Sequence, residues 1–281
     1  MTWEREQFNL GIEAGNTTDM FISTNLRELI LVDSSNQLSR YDISNLNKPQ
    51  IIDDAISLTE SGADIAGITQ LSEGYSLVIA ATDGSITQWF SARDEESGKQ
   101  YFSPIRSFED DSDKIADIDA EYSRKGFFTS HADGTISVFH ATSHQHLATK
   151  KIADKSIIML SPSPQSVPTR LIAESSDRQL YIVKVENEHP ELSFSSLWNQ
   201  VWYEGHHHPK YMWQSSSADS DFEPKFSLMP LAFGTIKAAF YAMLFAIPIA
   251  VLGAAYTAYF MTPGARKVVK PVIEIMAALP T

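Results

Sequence analysis

Between Lys237 and Arg266 the chain runs 28 residues without a charge, AAFYAMLFAIPIAVLGAAYTAYFMTPGA. A helix needs about 20 apolar residues to cross the ~30 Å hydrocarbon layer of a bilayer, so this run predicts a membrane-spanning helix with a turn or two to spare. Small residues recur along it (Ala238, Ala242, Ala246, Ala250, Gly253), which lets helices approach closely where lipid supplies no hydrophobic drive. Pro248 sits mid-segment, a placement that membrane helices tolerate when neighbours re-satisfy the freed carbonyl. Tyr256, Tyr259 and Phe260 fall near the distal end, where interfacial aromatics are expected. The bland alternative, a buried core helix of a soluble enzyme, is usually shorter and less devoid of polar residues.

The charge distribution divides the chain at the same place. The 281 residues carry 22 Lys+Arg against 35 Asp+Glu, a formal net charge of −13. From Pro230 onward the only acid is Glu274, against Lys237, Arg266, Lys267 and Lys270; residues 1–229 hold the other 34 acids and 18 bases. That acidic body argues against non-specific nucleic-acid binding, which needs a basic surface. The chain contains no cysteine, which excludes a disulfide scaffold, a thiolate zinc site, an iron–sulfur cluster and a cysteine nucleophile. Arg266, Lys267 and Lys270 cluster just past the span, and cytoplasmic flanks are the basic ones, so residues 262–270 are expected inside and 1–229 outside. The start, MTWEREQFNLGIEAG, has no basic n-region followed by an apolar stretch that would export such a domain. Either the orientation is reversed or an earlier membrane segment lies upstream, and a sequence cut at both ends would account for all of these features. A second apolar segment, Lys270–Thr281, opens with Pro271 near an expected helix start and stops short of a bilayer's thickness, which reads as a cut.

Before Ser196 the pattern is short β-rich runs broken by turn signals. Four segments align over one another: Leu29–Tyr41, Leu77–Trp89, Phe127–Phe139 and Leu171–Val183. Each is an apolar strand, a two-residue turn (Asn36-Gln37, Asp83-Gly84, Asp133-Gly134, Asp177-Arg178) and an alternating strand. Asp-Gly between such runs is a hairpin signal, because the tight turn needs positive φ. Ile65 and Ile68 precede Ile86 by 21 and 18 residues, and Ile115 and Ile118 precede Ile136 by the same offsets. The equivalent positions Leu38, Ile86, Ile136 and Leu180 stand 48, 50 and 44 residues apart. A period in the 40s with several strands per unit marks propeller blades, which bury their faces by stacking around an axis. An ordinary β-sandwich is the competing reading. The first unit lacks an upstream strand matching Ile65 and Ile68, and Met1–Thr24 fits no blade start, so the ring is expected to be incomplete.

No motif assembles a catalytic or metal site. His206-His207-His208 alternate in direction and lack an acid at ligand spacing, so they read as a solvated loop. His131, His140, His144 and His146 read as core or surface residues rather than ligands. Glu109-Asp110-Asp111-Ser112-Asp113 lacks the Gly and terminal Glu of a calcium loop and reads as a solvated turn. G-x-x-x-x-G-K-[ST], G-x-S-x-G and H-E-x-x-H are absent from the sequence. The expectation is a protein that is not an enzyme, with no catalytic, cofactor-binding or metal-binding residues assigned and no cofactor.

Residues 202–281 bring a family into view. Trp202-Tyr-Glu-Gly205, Pro209–Ser217 and Asp221–Lys225 lead into Ser227-Leu-Met-Pro-Leu-Ala-Phe-Gly-Thr235; the span follows, then Val269–Thr281. This resembles the enlarged permease subunit of phosphate-uptake ABC transporters of Gram-negative bacteria. In that family a P-L-x-x-G-T stretch opens the first helix of the transport core and an E-x-x-A-x-[IL]-P-[ST] stretch starts the next; here Pro230–Thr235 and Glu274–Thr281 match them. The resemblance implies an all-β, propeller-like N-terminal domain (WD40-like repeats) followed by a transmembrane α-helix of an ABC permease core. Its expected layout is a periplasmic domain over 1–195, a juxtamembrane linker over 196–229, a transmembrane helix over 230–262, and a cytoplasmic turn with the start of the next membrane helix over 263–281. It further implies a multi-pass inner-membrane protein with a second permease subunit, ATP-binding subunits and a periplasmic phosphate-binding protein as partners. Membrane lipid would surround it, phosphate would be the transported substrate, and no nucleic acid would bind. The family's coupling loop and most pore helices would lie past Thr281. Two other classes remain: a membrane-anchored propeller scaffold, and a tethered propeller enzyme or sensor with a ligand on its axis.

Overall fold

The computed structural model describes residues 10, 12, 15–59, 62–72, 74–93, 98–110, 112, 114–164, 169–217 and 222–278. It divides into two compact units, 1–227 and 228–281.

The first unit is built from antiparallel sheets in which each strand pairs with its neighbour in sequence. Strands β1 (Thr17–Ile22), β2 (Glu28–Asp33), β3 (Gln37–Asp42) and β4 (Gln50–Ser57) form the first sheet in that order. Strands β5 (Ile65–Gln70), β6 (Ser76–Ala81), β7 (Ile86–Arg93) and β8 (Gln100–Phe108) form the second. The third contains β9 (Ile115–Ala120), β10 (Gly126–His131), β11 (Thr135–His140) and β12 (Gln145–Lys151). The fourth has three strands among the described residues: β13 (Ile157–Pro162), β14 (Thr169–Ser175) and β15 (Leu180–Val185). Among the described residues no sheet closes on itself. The four aligned segments of the sequence are the central hairpins β2–β3, β6–β7, β10–β11 and β14–β15. The expectation that the first unit lacks its leading strand is corrected by β1, which pairs with β2 from Thr17↔Asp33 to Ile22↔Leu29. The strand is inconspicuous in sequence because its alternation, TTDMFI, carries only three apolar residues, of which Met20 and Ile22 stay exposed.

The hairpin turns also differ from the expected two-residue form. In all four, an amide three residues past the strand end donates back to it: Asn36 to Asp33, Gly84 to Ala81, Gly134 to His131 and Arg178 to Ser175. Only the residue at that fourth position has positive φ, at 60°, 90°, 85° and 66° respectively. This is the longer hairpin loop, a turn followed by one left-handed residue, which asks for glycine or asparagine once rather than twice. Asp83 and Asp133 stay in ordinary backbone and use their carboxylates to accept the amides and hydroxyls of Ser85 and Thr135.

Successive sheets meet through three apolar clusters. Ile30, Val32 and Leu38 of the first sheet pack on Leu77, Ile79 and Trp89 of the second. Val78, Ala80 and Ile86 of the second pack on Phe127 and Phe139 of the third. Phe128 and Ile136 of the third pack on Leu171 and Ala173 of the fourth. Because side chains alternate across a strand, neighbouring residues such as Leu77 and Val78 feed the two flanking clusters in turn. The backbones come close enough at Gly67 that a Cβ there would lie 2.9 Å from Ile118 Cγ2, and the Leu160 amide donates to Asp117 Oδ2 at 2.7 Å. Arg40 also crosses the first junction, buried over the Phe102 ring with Asp53 Oδ2 at 2.7 Å from its Nε and Ser91 Oγ at 2.5 Å from Nη1.

Of the expected juxtamembrane linker, 196–229, the described residues up to Ser227 group with the sheet unit. A short helix α1 (Phe194–Trp198) is capped by Ser193 in a reciprocal capping box with Ser196. The strap that follows adds a Val201–Lys210 bridge and a two-residue pair, β16 (Trp213–Gln214) with β17 (Lys225–Phe226).

The second unit begins with α2 (Met229–Ala255), which has Pro at its start and continues through a π-helical turn at Tyr256–Phe260. Met229–Phe260 is the one helix among the described residues long and apolar enough to cross a membrane, and none of it is buried. At 1.5 Å per residue, its 32 residues extend about 48 Å, past the ~30 Å hydrocarbon thickness. Helix α3 (Pro263–Ala278) starts earlier than the sequence suggests and takes Pro271 into its interior rather than at its start. Arg266, Lys270 and Glu274 recur at four-residue spacing along it, with Lys270 and Glu274 3.9 Å apart. Leu279–Thr281, part of the family-like motif, lies outside the described residues.

Candidate functional site

A cluster of buried ionisable groups lies where the strap after α1 meets the second and third sheets. Lys125 stands just before β10, and its Nζ donates to Glu204 Oε2 at 2.7 Å and to the Ser72 carbonyl. The other oxygen of Glu204 accepts from Ser76 Oγ at 2.5 Å and Gln88 Nε2 at 3.2 Å. Gln88 in turn accepts from Arg106 Nη1 at 2.6 Å, and Arg106 reaches the Trp202 carbonyl through Nη2. Five side chains from β6, β7, β8, the start of β10 and the strap thus form one continuous polar chain. Lys125 and Glu204 are nearly inaccessible to solvent. A buried pair of this kind is strong only while complete, since removing either partner strands a charge in a medium that cannot solvate it. Aromatic rings enclose it: Trp202 meets Phe90 edge-on at 6.1 Å, and Arg106 lies 5.9 Å over Phe90.

Glu223 comes from the same strap and is half-buried, with its Oε1 turned inward away from solvent. Burial, reinforced by the nearby Glu204 carboxylate, pushes its carboxyl up to about 7, despite opposing help from Thr142, Lys125 and Arg106. Its Oε1 has no hydrogen-bond partner among the described residues. It lines a cavity of about 40 Å³ together with Arg124, Lys125, His140 and Glu191, room enough for a few waters. His140 is held neutral: burial, then the cations Arg124, Arg106 and Lys125, push it down to about 3. Its Nδ1 accepts the Ser143 amide at 3.2 Å, which assigns the proton to Nε2. Burial pushes the Tyr203 phenol up to about 12 and lowers Arg106 from its ordinary value. Arg124 pairs with Glu121, which also takes the Thr169 hydroxyl.

This arrangement ties the strap to the second and third sheets. Ser143 Oγ lies 2.9 Å from His140 Nδ1 and donates to the Pro190 carbonyl at 2.8 Å, and among the described residues no group of three or more His, Asp or Glu is placed to hold a metal ion.

The sequence-level candidates settle individually. His131 is buried and takes Asp110 Oδ2 at 3.2 Å, with Thr129 and Ser137 hydroxyls at 3.1 and 3.3 Å. The Asp110 side chain, expected in a solvated turn, is instead buried; although burial would raise it, hydrogen bonds from His131 and Ser112 hold it well below the usual carboxylate range. Asp111 and Asp113 lie outside the described residues. His144 and His146 contact the Ser107 carbonyl and Thr149 at the surface, and His146 stacks on Phe139 at 4.5 Å. His206, His207 and His208 do not converge on a metal-binding arrangement. Burial, then Lys210, lowers His206, whose carbonyl receives the Trp202 indole at 2.8 Å.

No protein-family model matches the chain. No curated protein matches it either. Among solved structures, the crystal structure of the computationally designed Ika4 protein is similar at 15% identity and a TM-score of 0.47, over 65% of this chain and 99% of that one. At that score the likeness carries no argument.

Proposed function

We propose that the chain is part of the permease subunit of an ATP-driven importer of inorganic phosphate, with a propeller-like docking domain held on the periplasmic side of the inner membrane. One observation carries the reading: the strap that is fastened into the sheets by Glu204 and Lys125 runs on into Met229–Phe260, and Pro230-Leu231-x-x-Gly234-Thr235 opens that helix. A pore helix that begins on this motif belongs to the transport core, and the second motif begins at Glu274 within α3.

The propeller reading of the sheet unit draws on the uniform hairpins and on the repeated use of one sheet face toward the preceding sheet and the other toward the next. Such a domain offers loops and rigid edges to partners, here a periplasmic phosphate-binding protein. Its role is contact rather than catalysis, in keeping with a buried ionic network that fastens rather than reacts. Phosphate would pass through membrane helices shared with a second permease subunit, driven by ATP-binding subunits.

The test is uptake of radiolabelled phosphate at micromolar supply in a strain deleted for the gene and lacking a paralogue. Uptake falls to background and returns on complementation. Undiminished uptake refutes the assignment, and a gene product with no membrane helix after α3 favours a scaffold anchored by a single span.

A further inference from the structure

Helix α3 carries its charges and its apolar residues on opposite sides. Arg266, Lys267, Lys270 and Glu274 recur at three- and four-residue steps, which gathers them along one side of the helix. Val268, Val269, Val272, Ile273, Ile275 and Met276 recur at the same steps along the other. Apart from the half-buried Val269, these six are between 48% and 67% exposed, a contiguous apolar face that water does not favour.

The position of α3 names what covers that face. The π-helical turn ends at Phe260, Met261 takes extended backbone (φ −77°, ψ 135°) and Pro263 opens α3, so α3 does not prolong the apolar helix before it. Arg266 fastens this elbow by donating through Nη2 to the carbonyls of Ala258 and Met261. Ala258 gains from this because Pro263, five residues on, has no N–H to offer it. A helix with charges on successive turns does not enter hydrocarbon, and one with this apolar side does not stay in water. The bilayer interface, reached two residues after the apolar helix ends, accommodates both sides at once. With Arg266 committed to the elbow, the exposed Lys267 and Lys270 are left to meet negative charge, Glu274 standing 3.9 Å from Lys270. We propose that α3 lies along the membrane surface, its Val, Ile and Met side chains sunk among the acyl chains and Lys267 and Lys270 paired with the headgroups of anionic lipid. This rests on the reading of Met229–Phe260 as a membrane span and is independent of what the protein transports.

Because the chain has no cysteine, single cysteines carrying a nitroxide report the depth of each face in the full chain. The probe is a nanodisc of phosphatidylcholine and phosphatidylglycerol, with collisions measured against oxygen, which concentrates among acyl chains, and a nickel chelate, which stays in water. Labels at Val272→Cys and Ile275→Cys are expected to favour oxygen, and labels at Glu274→Cys and Ala277→Cys the chelate, with ratios several-fold apart. Discs of phosphatidylcholine alone, or Lys267→Gln with Lys270→Gln added to the Val272→Cys chain, are expected to raise chelate access at Val272→Cys several-fold. The proposal is overturned if the chelate reaches both faces, if oxygen prevails on both, or if neither reagent reaches Val272→Cys and Ile275→Cys because another polypeptide covers them. It is overturned equally if depth is indifferent to phosphatidylglycerol and to the two lysines. Ile249→Cys in α2 separates the two readings: oxygen prevailing there leaves the span standing when α3 fails, and chelate access there removes the span itself.

Discussion

Glu223 and His140 share one small cavity and titrate in opposite senses. Glu223 keeps its proton to about 7 in the folded chain against an ordinary 4.5, so between those values folding takes up a proton and stability falls as pH rises. His140 stays neutral to about 3 against an ordinary 6.5, so between those values stability falls as pH drops. From pH 4.5 to 6.5 both slopes operate and cancel. Denaturant titrations across this window should therefore show little pH dependence from this pair in the wild type. Glu223→Gln should expose a stability that climbs with pH by up to about 3 kcal/mol, and His140→Asn one that declines by a similar amount. Unchanged profiles in both variants would refute the burial argument. None of this was legible in the sequence, because Arg106, Lys125, His140, Glu204 and Glu223 are scattered along the chain and follow no motif. The one local hint was a charge lodged among aromatics, Glu204 beside Trp202 and Tyr203.

At the scale of elements, the repeat was readable because one hairpin recurs with its apolar residues in register. The turn geometry was not, since Asp-Gly serves both the two-residue loop and the longer one observed. The strap's fastening was not readable either: its contacts are single polar side chains reaching distant sheets, which leave no periodicity. Glycine's role differs between equivalent turns. Gly84 has φ +90° and nothing near its missing Cβ, so Gly84→Ala should cost about 1 kcal/mol of backbone strain. Gly134 has φ +85° and faces the chain at 152–155, which binds its carbonyl through the Ile152 and Ala153 amides; a Cβ would lie 2.1 Å from the Ala153 oxygen. Gly134→Ala should therefore cost about 2–4 kcal/mol, read by thermal or denaturant unfolding against Gly84→Ala. Equal losses at the two sites would mean that backbone strain alone decides.

For the whole molecule, composition revealed the partition into an acidic, strand-rich body and an apolar helix, because a charge-free run of that length has few soluble uses. Single cysteines test the membrane placement in intact spheroplasts treated with an impermeant maleimide. Arg178→Cys, on an exposed turn of the sheet unit, is expected to label, and Ile249→Cys, inside α2, is expected to resist until detergent is added. Labelling of Arg178→Cys only after lysis would reverse the proposed orientation. Equal labelling of both in intact cells would remove the span.

The strictly sequential strand order has a consequence for how the protein is made. Each sheet closes its hydrogen bonds between strands that follow one another directly, so little loop entropy stands between a nascent segment and its folded form. Synthesis can then deposit sheets one upon another as a growing stack, each greasy side shielded by the next to emerge. Unravelling should start at the outer sheets, β1–β4 and β13–β15, each of which packs on one neighbouring sheet among the described residues, and spare the two between them.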